Sequence, residues 1–310
     1  MATFLARRAV QSLLVLLIIS LVAFVLVQAI PGNPARLALG PRASEQSVQI
    51  LEQEYHLDEP VLSQYWHFIS HSASLDFGSS IRSRQPVGPM LLDRVTPTML
   101  IIAYAAFLST LLAVGLGVLS AVRAGRPVDS AVQVGGMFAI AMPPFWLALM
   151  LVLAFAVGVP LFATTGYESG VGGILRTLTL PALTITCGLA PLLIRSVRSS
   201  VLENLGADYA TAARSRGLGP RRILFRHVLR NSLLSTVTIL GSSIAFLVST
   251  TIVVEYVFAI PGIGALSVNA VASRDFPIVQ SLVLLFGTLA LLANLVTDLV
   301  YAWLDPRVRL

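Results

Sequence analysis

Six stretches of the chain, 9–30, 98–122, 131–162, 177–194, 231–254 and 278–297, each run for 18 residues or more without one Asp, Glu, Lys or Arg. A bilayer core takes about 20 mostly apolar residues per helix, and a helix satisfies its own backbone groups where no water can. The runs therefore predict an all-α integral membrane protein with six transmembrane helices, the last continuing to about residue 304. Composition agrees, because only 12% of the 310 residues are charged and 56% are hydrophobic, against about 25% charged in soluble domains.

Within the third run, Pro143-Pro144 removes two backbone donors, so a kink or break is expected there. The first run resembles a secretory leader in having Arg7-Arg8 before it and Val27-Gln28-Ala29 near its end. At 22 residues it exceeds the 7–15 of a leader's apolar core, so it is expected to stay as a membrane helix.

All 21 basic residues are arginine. Without lysine the chain cannot form a complete G-x-x-x-x-G-K-[ST] phosphate loop or a Schiff base, so it is not a conventional ATPase by itself. Cys187 is the single cysteine, which excludes an intrachain disulfide and a C-x-x-C pair. With the N-terminus inside, 14 of the 21 arginines fall in inside connections, eight of them between Arg195 and Arg230. Positive residues favour the cytoplasmic side, so both termini are expected in the cytoplasm.

The outside stretch 31–97 predicts two short helices. Ser44 is placed to cap the first, with Glu45 in its opening turn and Val48, Leu51 and Tyr55 on one face. The second begins after Pro60 and carries Leu62, Tyr65, Trp66 and Ile69 as an apolar stripe, suited to a bilayer interface, a lid or packing on the bundle mouth. His67 and His71 are four apart, with His56 near in sequence, but Phe68 stands where H-E-x-x-H has its glutamate. No metal site is expected.

The inside loop 195–230 holds the other distinctive pattern. Asp208 can cap a short helix containing Tyr209, Thr211, Ala212, Ala213, Arg214 and Arg216, Gly217 offers the left-handed turn that ends it, and Pro220 opens the next helix. Small Ala212 and Ala213 leave a face without bulk, which suits a plug for a partner's groove. The same arginines also serve positive-inside topology and anionic headgroups, and the helix–glycine–helix layout favours docking.

At this loop the sequence resembles the inner-membrane permeases of binding-protein-dependent ABC importers. Ala212, Ala213 and Gly217 match their E-A-A, three residues, G motif, with Thr211, His227 and Arg230 departing in the manner of the peptide branch. Pro31-Gly32-Asn33-Pro34, Leu57-Asp58-Glu59-Pro60, Asp76-Phe77-Gly78-Ser79-Ser80, Val253-Val254-Glu255-Tyr256-Val257-Phe258, Pro261-Gly262-Ile263-Gly264, Arg274-Asp275-Phe276-Pro277, Asn294, Asp298 and Leu304-Asp305-Pro306-Arg307 are similar to the dipeptide/oligopeptide/nickel permease family, B-type subunit. The resemblance covers nearly the whole chain.

It implies a type I ABC importer permease fold, in which 1–97 forms the first transmembrane helix plus an extracytoplasmic segment and 98–310 the core permease domain with coupling loop 198–230. The chain would be a multi-pass protein of the bacterial inner membrane and a non-catalytic translocation subunit for peptides. Its partners would be a homologous second permease, two cytoplasmic ATP-binding subunits and an extracytoplasmic substrate-binding protein. It would bind no cofactor itself, with ATP and Mg on the ATPases. Asp208, Tyr209, Thr211, Ala212, Ala213, Arg214, Arg216 and Gly217 would couple to the ATPases, while Glu255, Pro261, Gly262 and Gly264 would lie at the outer mouth or touch the binding protein. The alternative is an ion- or proton-coupled secondary transporter or channel, which needs ionisable groups inside the membrane. The six uncharged runs supply none, leaving Glu255 and Asp298 at span ends.

Overall fold

The computed structural model describes residues 2–29, 31–40 and 42–304. The Asp298 side chain and Asp305-Pro306-Arg307 lie outside the described residues. The described chain is helical and contains no sheet, only an isolated bridge between Ser79 and Pro86. Its helices are α1 (Ala2–Gln28), α2 (Pro34–Leu39), α3 (Glu45–Glu54), α4 (Val61–Ala73), α5 (Val87–Val122), α6 (Pro127–Ala141), α7 (Pro144–Val152), α8 (Gly170–Gly206), α9 (Asp208–Ser215), α10 (Pro220–Ile223), α11 (Leu229–Ser242), α12 (Ile244–Val257), α13 (Ile263–Ser273) and α14 (Phe276–Leu304). Two π-helical turns, Leu153–Gly158 and Leu224–Val228, follow α7 and α10.

Four helices, those containing Val10–Gln28, Val87–Val122, Gly170–Gly206 and Phe276–Thr297, are long and apolar enough to cross a membrane singly, and two bent pairs bring the number to six. One pair is α6 and α7, which meet at 102° where Met142 turns extended and Pro143 and Pro144 open the next helix. The expected break is thus a sharp corner. The other pair, α11 and α12, covers the single charge-free run 231–254. It breaks after Gly241-Ser242-Ser243, where both serine hydroxyls donate to the Ile239 carbonyl (2.9 and 2.7 Å). Gly/Ser pairs and inward-bonding hydroxyls are recognised causes of helix kinks, and an apolarity scan does not register them.

The chain forms two compact units. The first comprises Met1–Thr98 and Pro261–Leu292, so the segment set apart at 1–97 is joined by a C-terminal stretch. In it α4 lies on α1 through Tyr65 and Phe68 against Phe24, with ring centroids 5.4 and 6.2 Å apart, and through a Tyr65–Ser20 hydrogen bond of 2.9 Å. The expected apolar stripe of α4 therefore divides: Tyr65 turns toward α1, while Leu62 (81% exposed) and Trp66 (69%) face outward. As predicted, Ser44 caps α3 by accepting the Ser47 N–H (3.1 Å), and Val48 and Leu51 are buried. Two elements, α2 and α13, have no counterpart among the predicted helices. α13 is apolar but only 11 residues long, too short to span, and it buries Ile263, Leu266 and Ala270 at spacings of three and four.

The second unit comprises Met99–Ile260 and Ala293–Leu310. Its core gathers around α8, which buries Leu178, Leu180, Ile185, Leu189, Leu193 and Val197 against α6, α7, α11 and α12. Thr184 and Thr186 are buried within α8 by donating to carbonyls four residues back, at 2.9 and 2.7 Å. α8 also continues to Gly206, beyond the apolar run that ends at 194. The residues read as loop from 195 are helical because nothing between Arg195 and Leu205 breaks a helix; only the hydropathy ends there.

Candidate functional site: the short helix α9 and its support

α9 is one short helix set between two longer ones. Ala207, in extended conformation, is its cap residue, and Asp208 is the first helical residue, without a side-chain cap bond. The expected capping role of Asp208 is corrected accordingly: its carboxylate stands in the opening turn, where it opposes the positive end of the helix dipole. Gly217 ends the helix as expected, at φ +77°. Its N–H donates to the Arg214 carbonyl (2.9 Å) and that of Leu218 to the Ala213 carbonyl (3.2 Å), the paired bonds of a Schellman cap. Pro220 opens α10 at its first position, where its missing N–H is no loss.

The eight residues expected to act in coupling are not equivalent. Ala210 and Ala213 are buried in the core of the second unit, so small side chains there allow close packing of α9. Asp208, Tyr209, Thr211, Ala212, Arg214, Arg216 and Gly217 are exposed. The bulk-free outward face therefore belongs to Thr211 and Ala212, and Ala213 is on the opposite side. Tyr209 donates to Asn204 Oδ1 at the end of α8 (2.6 Å), and Asn231 of α11 donates to Tyr209 Oη (3.5 Å). Arg214 reaches back to the Leu205 carbonyl (2.9 Å), one of the acceptors a helix end leaves unsatisfied. These bonds tie α9 to both neighbouring helices.

α8, which precedes α9, also carries an ion pair that sequence spacing does not reveal. Asp129, in the first turn of α6 and 5% exposed, accepts from Arg198 Nε and Nη2, both at 2.7 Å, from Ser120 Oγ at 2.5 Å and from the Gly125 N–H at 3.0 Å. All four bonds end on one carboxylate, so α5, the turn after it, α6 and α8 are locked together. Such bidentate guanidinium pairing is strong and geometrically specific. Arg198, counted among topology-setting charges, is thus a structural residue as well. The partners are 69 positions apart, and no motif links them.

The outer-mouth candidates also resolve. Glu255, which the sequence sets at a span end, is fully buried in α12. Pro261 is exposed and Gly262 and Gly264 are buried at the start of α13. In the same unit Asp275, also buried, accepts from Ser80 Oγ (2.5 Å), the Ile81 N–H (3.2 Å) and the Arg82 N–H (3.4 Å), fixing the loop before α5 to the loop before α14. Asp275 was visible only as part of a motif.

Comparison with known proteins agrees with this fold. The model of the family described as "Binding-protein-dependent transport system inner membrane component" matches residues 113–310, and that of the corresponding N-terminal region matches residues 1–103. The chain is 35% identical over 309 residues to the glutathione transport system permease protein GsiC of Salmonella choleraesuis (strain SC-B67), and 34% identical over 309 residues to GsiC of Escherichia coli (strain K12). Each alignment covers 100% of this chain and 99% of the relative. A structure of the MetNI methionine ABC transporter in an inward-facing conformation superposes with a TM-score of 0.58 at 20% identity, covering 70% of this chain and 96% of the other, which shows a shared fold. A chain-long match of this kind favours a translocation subunit over the secondary-transporter alternative. With its helical membrane fold, its full-length relatives and both parts of the family pattern in order, the chain belongs to the binding-protein-dependent transport system inner membrane components, as a transmembrane permease subunit.

Proposed function

We propose that this permease forms half of the pathway of an ATP-driven importer for small peptides, with glutathione among the substrates to test first, and that residues 208–217 transmit the ATPase stroke. The observation that carries the reading is α9 itself: a short helix with Thr211, Ala212 and Arg214 exposed, closed by a left-handed glycine and bonded to α8 and α11 through Tyr209 and Arg214. A helix so tied moves with its supports, so a push on its outer face reaches the α8-centred core. The arginine distribution supports placing α9 and both termini in the cytoplasm. The absence of lysine, and hence of a complete phosphate loop, supports the reading in which two partner ATPases hold ATP and Mg. A second permease completes the pathway, and an extracytoplasmic binding protein delivers the solute; relatives named for glutathione transport support the peptide class.

Gentle-detergent purification followed by mass spectrometry tests the assembly. Recovery of a second permease and P-loop ATPases is expected, and a chain that emerges alone in several detergents with ATP present would refute it. Gly217→Pro removes the N–H that closes the Schellman cap and forbids its positive φ. It is expected to abolish uptake of labelled dipeptide and glutathione while the chain still inserts, and uptake at the unmutated rate would remove α9 from the coupling path.

A further inference from the structure

The turn between α3 and α4 brings together three side chains that the sequence reading did not group. His56 Nδ1 lies 2.9 Å from Glu59 Oε1, and His67 Nε2 lies 3.3 Å from Glu59 Oε2. One nitrogen or oxygen from each of the three residues falls within 4.8 Å of the others. Helical spacing puts His67 and His71 on one face of α4, but His71 Nδ1 turns to Asp76 Oδ2 at 3.3 Å. Of the three, His56 and His67 line a cavity of about 350 Å³ within the first unit, alongside Gln64, Phe68 and Phe276.

The backbone supplies a second observation. α3 ends in a Schellman cap, with the His56 N–H on the Gln53 carbonyl (3.3 Å) and the Leu57 N–H on the Glu52 carbonyl (2.8 Å). The left-handed position of that cap, normally glycine, is occupied by His56 at φ +54°. A Cβ in this conformation is unfavourable, and departures of this kind concentrate where a side chain has a task. The task visible here is to deliver Nδ1 to Glu59. Glu59 is itself held, since Ser63 Oγ donates to Oε2 (2.5 Å) and Gln64 Nε2 to its backbone carbonyl (2.8 Å). Support of this kind orients metal ligands.

We propose that His56, Glu59 and His67 form a binding site for a divalent transition metal of the zinc class. Two imidazoles and a carboxylate suit Zn²⁺, Co²⁺ or Ni²⁺ and not Mg²⁺ or Ca²⁺, which prefer oxygen. Bond lengths of about 2.0–2.1 Å at tetrahedral angles put neighbouring ligand atoms about 3.4 Å apart; the two imidazoles meet different oxygens of Glu59 and stack with centroids 4.6 Å apart and 10° between their planes, so both rings must turn to converge on one ion. Three protein ligands would leave a fourth position for water or for a donor atom of a small solute. A bound ion would staple the end of α3 to the middle of α4.

The test uses the full-length chain in nanodiscs, purified without a polyhistidine tag, and titrated with Zn²⁺ against a chelating dye. One Zn²⁺ per chain is expected, with Co²⁺ giving the intense visible bands of a tetrahedral nitrogen–oxygen site. His56→Gly deletes a ligand while installing the residue that best fits the backbone there, so it should fold and lose Zn²⁺ affinity by about a hundredfold or more. His67→Gln should do the same, Ser63→Ala should lose about tenfold, as supporting residues do, and His71→Gln should bind as the unmutated chain does. Unmutated protein that binds Zn²⁺ no more tightly than His56→Gly, shows no tetrahedral Co²⁺ spectrum, or loses binding with His71 instead would overturn the site.

Discussion

In α8, 72% of the most apolar 18-residue window is buried within the protein, whereas in α1 the corresponding share is 22%. Yet α1 has the most apolar window of the four long spans and α8 the least. The difference lies in what surrounds each helix. Exposed Leu13, Leu14, Ile18 and Leu26 give α1 an outer surface suited to lipid, where any polar atom is penalised. α8 meets protein on nearly every side and admits Thr177, Thr184, Thr186, Pro181 and Pro191. Helix association in a bilayer depends on close packing and internal hydrogen bonds, because lipid tails are as apolar as leucine. Hydropathy therefore reports contact with lipid, while small, hydroxyl-bearing and helix-interrupting residues mark the centre of the bundle.

The largest expected effect falls on the polar link of that centre. Arg198→Ala leaves Asp129 and its bonds from Ser120 and Gly125 without the opposing charge, and breaking one side of a buried pair is far more damaging than replacing both. Most of the folded, detergent-extractable protein should be lost, with recovery in a double variant carrying Asp129→Asn and Arg198→Met. Equal losses in the single and double variants would show that the pair does not act as a unit.

Side-chain truncation separates the two helices directly. Leu193→Ala removes a fully buried side chain from α8 and is expected to cost about 2–5 kcal/mol. Leu13→Ala, at a position 59% exposed on α1, should stay within about 0.5 kcal/mol. Reversible denaturation in mixed micelles reads both, and similar values would dissolve the contrast.

A subtler probe compares two glycines on α5. A Cβ on Gly117 would meet Val197 Cβ at 2.8 Å and the Ile194 carbonyl at 3.0 Å, whereas Gly115 has open space. Gly117→Ala should destabilise by about 1–3 kcal/mol through overpacking, and Gly115→Ala should be neutral or stabilising by up to about 1 kcal/mol. These residues also show how far the sequence could be read. Charge-free runs are legible because lipid imposes them, and Pro143-Pro144 and Gly217 are legible because they restrict the backbone at their own positions. The distinction between Gly115 and Gly117, the pairing of Asp129 with Arg198 and the inward turn of Ala213 depend on which helix lies opposite. No local pattern carries that information. The same holds for His56, Glu59 and His67, which a turn assembles and helical spacing does not.

The smallest effects are expected from pH, and they belong to the segment that follows α1. There the links are polar: Arg36 with Glu45, Asn33 with Glu52, Arg84 with Glu54 at 2.8 Å, and Tyr55 donating to the Ser79 carbonyl at 2.7 Å. Burial, reinforced by neighbouring Glu54 and partly opposed by Arg84, pushes the Tyr55 phenol from an ordinary value of 10.0 up to about 12. A raised value means that the folded chain holds the proton more tightly. This contribution is complete below pH 10.0 and is lost as pH rises toward about 12. Glu59 runs the other way, because the Ser63 hydroxyl and then His56 hold its carboxyl below its usual value of 4.5. Its contribution is complete above pH 4.5 and fades as pH falls through the depressed value. Both side chains are partly exposed, so solvent screens them and the shifts in melting midpoint should be small. The measurement is a pair of melting curves across pH, one following α3–α4 by a reporter on the segment and one following the α8 core. If the segment loosens at either extreme before the core, and Tyr55→Phe removes the alkaline limb, then polar links hold the segment while packing holds the bundle. Parallel loss of both signals would mean that one cooperative structure spans the two and that the contrast drawn from burial stops at the level of single helices.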